Sequence, residues 1–196
     1  MRDRIVPKPL NRDWRPGRRE KRRVRGMTSV VTVRSAEKGD FPQIKEIAST
    51  AFQLHRFWTD RDLERENVEA YYGVEVDGFE EELSRNRDRF EIFVGDEQGH
   101  ILGYIVIRMD GHLSATFKQR WGIIASFALR SGSRGKGLGT LLLSRALRWF
   151  EGKGAERVDV STDAENIAAI QCYEKQGFRT VYSGVTLTKK LRCGNP

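Results

Sequence analysis

The sequence has little that would support a disulfide framework, a metal centre or a membrane segment. Only two cysteines, Cys172 and Cys193, and three histidines occur in 196 residues. Small extracellular folds that depend on disulfides are rich in cysteine, so a cytoplasmic location is expected. The three histidines have no metal-ligand spacing, so no metal cofactor is expected. No apolar run approaches the roughly 20 residues that a membrane helix needs. The N-terminus also lacks the apolar core of a signal peptide.

An excess of positive charge is confined to residues 1–26. This segment holds eleven Lys or Arg and three acidic residues, a difference equal to the net charge of +8 of the whole chain. It contains Pro7, Pro9 and Pro16 and shows no hydrophobic periodicity, so it is predicted to be a basic disordered tail before a domain over residues 27–196.

Three interpretations of the tail stay open. It could contact nucleic-acid phosphates, be solvated without a partner, or precede a true start at Met27. The last two are favoured, because Trp14 is the only aromatic residue in the segment.

Hydrophobic periodicity predicts helices interspersed among strands in residues 27–196. The predicted strands are 30–34, 90–95, 101–109, 121–129, 157–162, 180–182 and 185–191. The predicted helices are 40–52, with Asp40 as N-cap, and 61–72, 78–85, 141–150 and 166–176. Because the helices lie between strands, the predicted fold class is α/β, with a single mixed sheet and helices on both faces.

The stretch from residue 134 to 140, Arg-Gly-Lys-Gly-Leu-Gly-Thr, lies between a predicted strand and a predicted helix. Glycines at alternate positions let backbone N–H groups approach an anion closely. The first N–H groups of a helix are unpaired and lie at the positive end of its dipole. The stretch therefore predicts a site for a phosphorylated ligand.

Two nucleotide-binding motifs do not match this stretch. Gly132 and Gly137 have the spacing of a Walker loop, but Leu138 stands where that motif requires lysine. A dinucleotide fingerprint starting at Gly135 and Gly137 requires a third glycine where this sequence has Thr140.

The stretch instead resembles the acyl-CoA loop of the GCN5-related N-acetyltransferase (GNAT) superfamily, Arg/Gln-x-x-Gly-x-Gly/Ala. A second block of that family, Asn-x-x-Ala-x-x-x-Tyr-x-x-x-Gly-Phe, is matched by Asn166, Ala169, Tyr173, Gly177 and Phe178. The resemblance covers residues 30–191. It implies the acyl-CoA N-acyltransferase fold, a mostly antiparallel sheet whose fourth and fifth strands are splayed to admit a pantetheine arm.

The resemblance also implies that acetyl-CoA is the co-substrate. The backbone of residues 135–140 would hold its pyrophosphate, the backbone of Phe127 and Leu129 would pair with the pantetheine, and Asn166 would hydrogen-bond to it. The implied contacts are Phe127, Ala128, Leu129, Arg134, Gly135, Lys136, Gly137, Leu138, Gly139, Thr140, Asn166 and Tyr173.

Tyr173 is the predicted catalytic residue, since the resemblance implies that it lies near the thioester sulfur. A phenol with a pKa of about 10 is protonated at neutral pH and can donate to a departing thiolate whose pKa is about 8.5. The alternative is an ordinary half-buried aromatic residue of a helix. Asn166 before it and Gly177 after it favour the catalytic interpretation.

The general base is the point at which this sequence departs from its relatives. Family members often have glutamate at the positions that match Ile123 and Ser161 here. A proton could instead pass to water or to a more distant group. The candidates are Glu91, Asp110, Asp159 and His112, the last expected in a loop.

The predicted activity is direct transfer of an acetyl group from acetyl-CoA to a primary amine. A small molecule or amino sugar ranks slightly above a peptide N-terminus as the acceptor. Residues 55–58, His-Arg-Phe-Trp, are a candidate contact for an anionic or sugar-bearing acceptor, or else a hydrophobic hinge. The competing class is a non-catalytic acyl-CoA-binding module whose tail contacts nucleic acid. A homodimer is compatible with either class, and a membrane partner is not expected.

Overall fold

The computed structural model describes residues 19–23, 30–52 and 56–189, which contain a six-stranded sheet. The strands are β1 Glu20–Arg23, β2 Val30–Ser35, β3 Phe90–Glu97, β4 His100–Asp110, β5 Trp121–Leu129 and β6 Arg157–Val160. They lie side by side in chain order. Neighbours are antiparallel except β5 and β6, which are parallel. The predicted mixed, mostly antiparallel sheet is confirmed.

Helices cover both faces of the sheet, also as predicted. They are α1 Phe41–Ala51, α2 Arg56–Thr59, α3 Arg65–Arg85, α4 Gly111–Phe117, α5 Leu138–Gly152 and α6 Ile167–Glu174. The helices α1 and α3 pack with one core cluster, and α5 packs with the other. Alternation along β4 explains the division, because Tyr104 belongs to the first cluster and Ile105 to the second. Both faces of β4 are buried, which accounts for its continuous apolar run.

Strand β1 lies inside the segment predicted to be a tail. Its four residues pair antiparallel with β2, and the carboxylate of Glu20 accepts a hydrogen bond from Arg148 on α5. Residues 1–18 and 24–29 lie outside the described residues. For them the proposed division between tail and domain stays a prediction.

Helix α1 begins after a buried ion pair. Asp40 occupies the predicted N-cap position, but its side chain makes no cap hydrogen bond to α1. Arg34 instead donates to both carboxylate oxygens of Asp40, at 2.6 and 2.8 Å. Burial alone would raise the pKa of Asp40, but hydrogen bonds from Arg34 and from the N–H of Glu37 lower it overall.

The prediction of separate helices over 61–72 and 78–85 is wrong, because α3 runs unbroken from Arg65 to Arg85. This helix contains two internal glycines, Gly73 and Gly78. A Cβ at either glycine would meet nothing within 4 Å, so both lie on the open side of the helix. Each costs about 1 kcal/mol of helix stability relative to alanine. The buried face of α3, at Val68, Tyr72, Val76 and Leu83, offsets that cost.

Two further helical segments differ from the sequence prediction. Helix α4 was not predicted, and it places His112 in a helix rather than a loop. It forms because Asp110 accepts a hydrogen bond from the N–H of Leu113 at 2.8 Å, as an N-cap does. Helix α5 begins at Leu138, directly after the glycine stretch, rather than at residue 141.

The two closing strands predicted over 180–182 and 185–191 are absent through residue 189, and residues 190 and 191 lie outside the described part. The side chains of Val181, Tyr182, Val185 and Leu187 are exposed there. Alternating apolar residues favour extended backbone, but a strand also needs a partner. Among the described strands, β6 pairs only with β5. No helix in the described residues is long and apolar enough to cross a membrane.

Candidate active site

Strands β5 and β6 separate partway along their length. They pair only from Trp121 to Ile124 and from Arg157 to Val160. Strand β5 continues to Leu129, still paired with β4 on its other side. Residues 125–129, called the open edge below, therefore carry backbone groups that β6 does not satisfy. This is the splaying predicted for the fourth and fifth strands, which are β5 and β6 once β1 is counted.

A β-bulge marks the start of the open edge. Val106 on β4 pairs with Ser126, whereas the next residue, Ile107, pairs with Ile124. Ala125 is therefore the extra residue, and it is exposed. A bulge leaves a backbone group free of the ladder. Such a free N–H can polarise the carbonyl of a bound ligand.

Two different structural features explain why glycine occurs at these positions after β5. Gly135 and Gly137 have positive φ angles of 71° and 92°, which favour glycine, and a Cβ on either would meet nothing within 4 Å. Gly139 has no positive φ. A Cβ there would lie 3.5 Å from Leu129 Cδ1 and from Phe127 Cζ. The loop is thus open to solvent and lies next to the open edge.

The N-terminus of α5 offers unpaired donors at this point. The first hydrogen bond of the helix runs from Leu141 N–H to Gly137 O at 3.1 Å. The N–H groups of Leu138, Gly139 and Thr140 precede it and have no acceptor within the helix. Together with the half-exposed Lys136, they form a positive site suited to phosphate.

Arg134 has a structural contact in addition to its predicted role. It is exposed and donates to the carbonyl of Ala51 at the end of α1, at 3.4 Å. A neighbouring residue that the sequence reasoning missed makes a stronger connection. Arg130 donates to Ile101 O at 2.8 Å and to both carboxylate oxygens of Glu46, at 2.6 and 2.8 Å. These bonds join the end of β5 to β4 and α1.

Tyr173 on α6 lies beside the open edge. Its side chain is buried, with ring centroids 6.2 Å from Phe127 and 5.6 Å from Phe178. Among the described residues its hydroxyl has no hydrogen-bond partner. Burial, with a smaller contribution from Cys172, raises the pKa of Tyr173 well above its usual value. The phenol is therefore a proton donor throughout the neutral range.

Asn166 has a local role that needs no ligand. Its Oδ1 accepts from Ala169 N–H at 3.3 Å, which caps α6, and its Nδ2 donates to Thr162 Oγ1 at 3.2 Å. The cap orients the helix that carries Tyr173. The predicted bond from Asn166 to pantetheine stays a prediction.

Two of the four candidate bases have other structural partners. Asp110 caps α4 and pairs with Arg108 at 3.3 Å. It lies opposite Trp121, four residues before Ala125, which is about 13 Å along a strand. Asp159 accepts a hydrogen bond from Arg157 at 3.0 Å.

The other two candidates lie away from the open edge. Glu91 accepts from Ser35 Oγ at 3.1 Å, and burial raises the pKa of Glu91. Its strand, β3, is separated from β5 by β4. His112 lies on α4, beyond the end of β4. Glu91, Asp110 and His112 thus lie away from the open edge, whereas Asp159 lies opposite Ile123, two residues before Ala125.

A buried polar pair next to the bulge was missed from the sequence. The hydroxyl of Tyr104 on β4 lies 3.1 Å from the Oγ of Ser126, and both side chains are buried. Burial raises the pKa of Tyr104 well above the usual value of a phenol. A single serine inside the apolar run of β5 was the signal that could have found this pair.

Four aromatic rings, called the aromatic cluster below, lie at the junction of α1, α2 and α3. The ring of Phe52 stacks on Tyr72 at 5.2 Å, and Tyr71 contacts Tyr72 at 5.3 Å and Phe57 at 4.9 Å, edge to face. Of residues 55–58, predicted as a candidate acceptor contact, His55 and the side chains of Arg56 and Trp58 lie outside the described part. Phe57 lies in the cluster.

In the part of the chain that the structure describes, no group of three or more His, Cys, Asp or Glu side chains could hold a metal ion.

A curved mixed sheet whose parallel pair separates beside a glycine loop defines the class of acyl-CoA N-acyltransferase folds. The family described as "Acetyltransferase (GNAT) family" matches residues 42–178, and the chain belongs to that family.

Two curated relatives differ in the acceptors that they name. The chain is 30% identical to N-alpha-acetyltransferase 30 of Schizosaccharomyces pombe over 86 residues, 44% of this chain and 55% of that one. It is 27% identical to the L-methionine sulfoximine/L-methionine sulfone acetyltransferase of Salmonella typhimurium, over 76% of this chain and 80% of the relative.

Other matches cover less of the relative or show the fold alone. The chain is 26% identical to the mycothiol acetyltransferase of Streptomyces coelicolor, over 62% of this chain and 33% of that one. The chain thus spans about half of the fission yeast relative and a third of the mycothiol acetyltransferase. The PaiA N-acetyltransferase of Thermoplasma acidophilum, solved with coenzyme A, has a TM-score of 0.62 at 15% identity, over 76% of this chain and 89% of that one.

Proposed function

We propose that this protein transfers an acetyl group from acetyl-CoA to the primary amine of a small molecule. The observation that carries the proposal is the open edge of β5, which is unpaired beside a glycine loop and a helix N-terminus. Family membership supports the donor. The Salmonella relative, covered over 80% of its length, supports a small amine as the acceptor.

The residues fit acetyl-CoA as a substrate. The N–H groups of residues 138–140 and the open loop at Gly135 and Gly137 suit a pyrophosphate. The backbone of residues 127–129 suits the amides of a pantetheine arm, which can pair with it as another strand would. When bound, acetyl-CoA supplies an activated thioester carbonyl.

The protein's own groups assist direct attack by the amine. Backbone N–H groups near the bulge at Ala125 would polarise the carbonyl, a contribution that is often the largest in acyl transfer. Tyr173 would donate its phenolic proton to the departing thiolate, because burial keeps the phenol protonated. The reaction needs no acyl-enzyme.

A peptide N-terminus is the second candidate acceptor. It is supported by the N-alpha-acetyltransferase of fission yeast, which is 30% identical over 86 residues. That match spans 55% of the relative, against 80% for the Salmonella relative, so the peptide N-terminus ranks second.

An amine panel tests the proposal. Thiol release from acetyl-CoA would be followed with methionine sulfone, glucosamine and a short peptide bearing a free N-terminus. We expect faster release with a small amine than with the peptide. Binding of acetyl-CoA by calorimetry without any turnover would indicate a non-catalytic acyl-CoA-binding module. Absence of binding would contradict the proposal altogether.

A further inference from the structure

Glu75 lies on the side of α3 that borders the buried face of that helix. It follows Tyr71 and Tyr72 by four and three residues, so its side chain is a neighbour of both on the helix surface. Glu75 is partly buried, in contrast to Glu69 and Asp77 on the same helix, which are exposed.

Within the described residues, the carboxylate of Glu75 has no hydrogen bond and no ion pair. Other partly buried acids of the chain have such partners, since Asp40 binds Arg34 and Asp110 caps α4. Burial raises the pKa of Glu75. A half-buried carboxylate without a cation is costly, and such groups concentrate at functional sites.

Glu75 lies between Tyr72 and Val76 on α3, and both of these belong to the same core cluster as Ala128 on the open edge. The charge of Glu75 acts on the hydroxyl of Tyr104, whose pKa it contributes to raising, and that hydroxyl is 3.1 Å from Ser126 Oγ. Ser126 directly follows the bulged residue Ala125. The helix that carries Glu75 and the open edge therefore border the same core cluster.

The surroundings of Glu75 match the chemistry of an ammonium group. The aromatic cluster begins one turn away, at Tyr71 and Tyr72. Aromatic ring faces attract cations, and an unpaired carboxylate supplies the counter-charge. A primary ammonium placed here would satisfy both.

We propose that Glu75 binds the ammonium group of the acceptor and receives the proton that this group must lose before attack. This assignment rests on the proposed function. The ammonium gives one proton to Glu75, and the free amine forms a C–N bond to the thioester carbon. The C–S bond breaks with its electron pair on sulfur. The thiolate gains a proton from Tyr173, which is restored by the second proton of the amine nitrogen, and Glu75 releases its proton to water.

We assign the pH dependence of this step to Glu75, because charged groups on neighbouring elements are paired with other residues. Lys45 on α1 is bound to Asp77 at 2.5 Å, and Asp96 on β3 is bound to Arg34 at 2.8 Å. The described residues of α3 and β4 also include the phenols of Tyr71, Tyr72 and Tyr104. A carboxyl group with a raised pKa accepts a proton near neutral pH more effectively than an ordinary one.

The test compares wild type, Glu75→Gln and the control Glu69→Gln with two amines across pH 5–9. One amine is the panel compound that wild type acetylates fastest, and the other is O-methylhydroxylamine, which is uncharged at pH 7. We expect Glu75→Gln to lower kcat/KM for the charged amine by about 100-fold or more at pH 7, and to remove the acidic limb of its profile. The uncharged amine should change less than about fivefold, because it has no proton to lose before attack. Glu69→Gln should change neither rate.

Thermal melting supplies a readout that does not depend on activity. Gln has the shape of Glu without the unpaired charge, so Glu75→Gln should melt at the same temperature or higher. A lower melting temperature would indicate a structural role and would overturn the assignment. So would equal losses with both amines, or none with either. If wild type acetylates no amine in the panel, the proposed function fails and this assignment fails with it.

Discussion

The two sides of the open edge of β5 are constructed differently. The donor side consists of backbone groups from consecutive residues, with Gly135 and Gly137 in conformations that favour glycine. The proposed acceptor side consists of side chains from several elements, including Glu75 and the aromatic cluster. A site made of backbone groups keeps its ligand while other side chains change. A site made of side chains changes its ligand with single substitutions. We therefore expect the donor to be common to the family and the acceptor to be specific to this chain.

Removal of one hydroxyl at the boundary between the two sides should have the largest effect. Tyr173→Phe should lower kcat about 100-fold, because the departing thiolate loses its proton donor. The affinity for acetyl-CoA should stay within about twofold, since the ring packing against Phe127 and Phe178 is kept. Stopped-flow measurement of thiol release and calorimetry separate these quantities.

The control is Tyr182→Phe, because Tyr182 is exposed and lies outside the site. Its kcat should equal that of wild type. An unchanged kcat in Tyr173→Phe would remove Tyr173 from the acid role and leave it as a packing residue.

Backbone strain in the glycine loop should be enough to weaken acetyl-CoA binding on the donor side. Gly137→Ala places a Cβ at a φ of 92°, where a left-handed conformation costs an L-residue about 1–2 kcal/mol. The affinity for acetyl-CoA should fall about tenfold. Calorimetry measures it, with Gly132→Ala as the control, because Gly132 has no positive φ and open space around it. Equal affinities in the two variants would show that the loop does not hold the donor.

Loss of the bonds that Arg130 makes should have a smaller effect, and it should affect the KM of both substrates. Arg130→Ala removes the bonds from β5 to Glu46 and Ile101, but Glu46 is largely exposed, so the loss is about 1 kcal/mol. The KM values for acetyl-CoA and for the amine should both rise about fivefold. Arg85→Ala, which breaks an exposed pair with Glu81, serves as the control. A change in only one KM would mean that the two sides are independent.

The smallest expected effect concerns the pH profile of kcat, which should have no alkaline limb. The pKa of Tyr173 is raised by burial, so its phenol stays protonated as the pH rises through 9. The value of kcat with a neutral amine should stay constant between pH 7 and 9.5. A fall centred below pH 9 would contradict the assigned protonation state.

The elements of the proposed donor side could be predicted, because each of them lies within one stretch of sequence. A glycine pattern, the following helix and the block around Tyr173 are each readable in one stretch of sequence. The acceptor side could not be predicted, since Tyr104 and Ser126 are 22 residues apart and meet only through strand pairing. Glu75 lies between the two predicted helices, 61–72 and 78–85, whereas the structure places it on one continuous helix.

The difference between local sequence patterns and long-range contacts also explains the errors in the predicted fold. Strands β2 to β6 were predicted because apolar periodicity is local, whereas β1 depends on pairing with β2 and on the contact of Glu20 with Arg148. The strands predicted over 180–191 failed for the opposite reason. Their local pattern was correct for extended backbone, but no described strand pairs with residues 180–189. The predicted cytoplasmic location, the tail and the homodimer stay predictions.

Hydrogen exchange along β5 tests the central claim most directly. Residues 121–124 are paired with β6, whereas residues 125–129 are open on that side. If acetyl-CoA binds at the open edge, it should slow exchange in residues 125–129 and 138–140 and leave residues 121–124 unchanged. Protection confined to other elements, or none at all under saturating acetyl-CoA, would contradict the account.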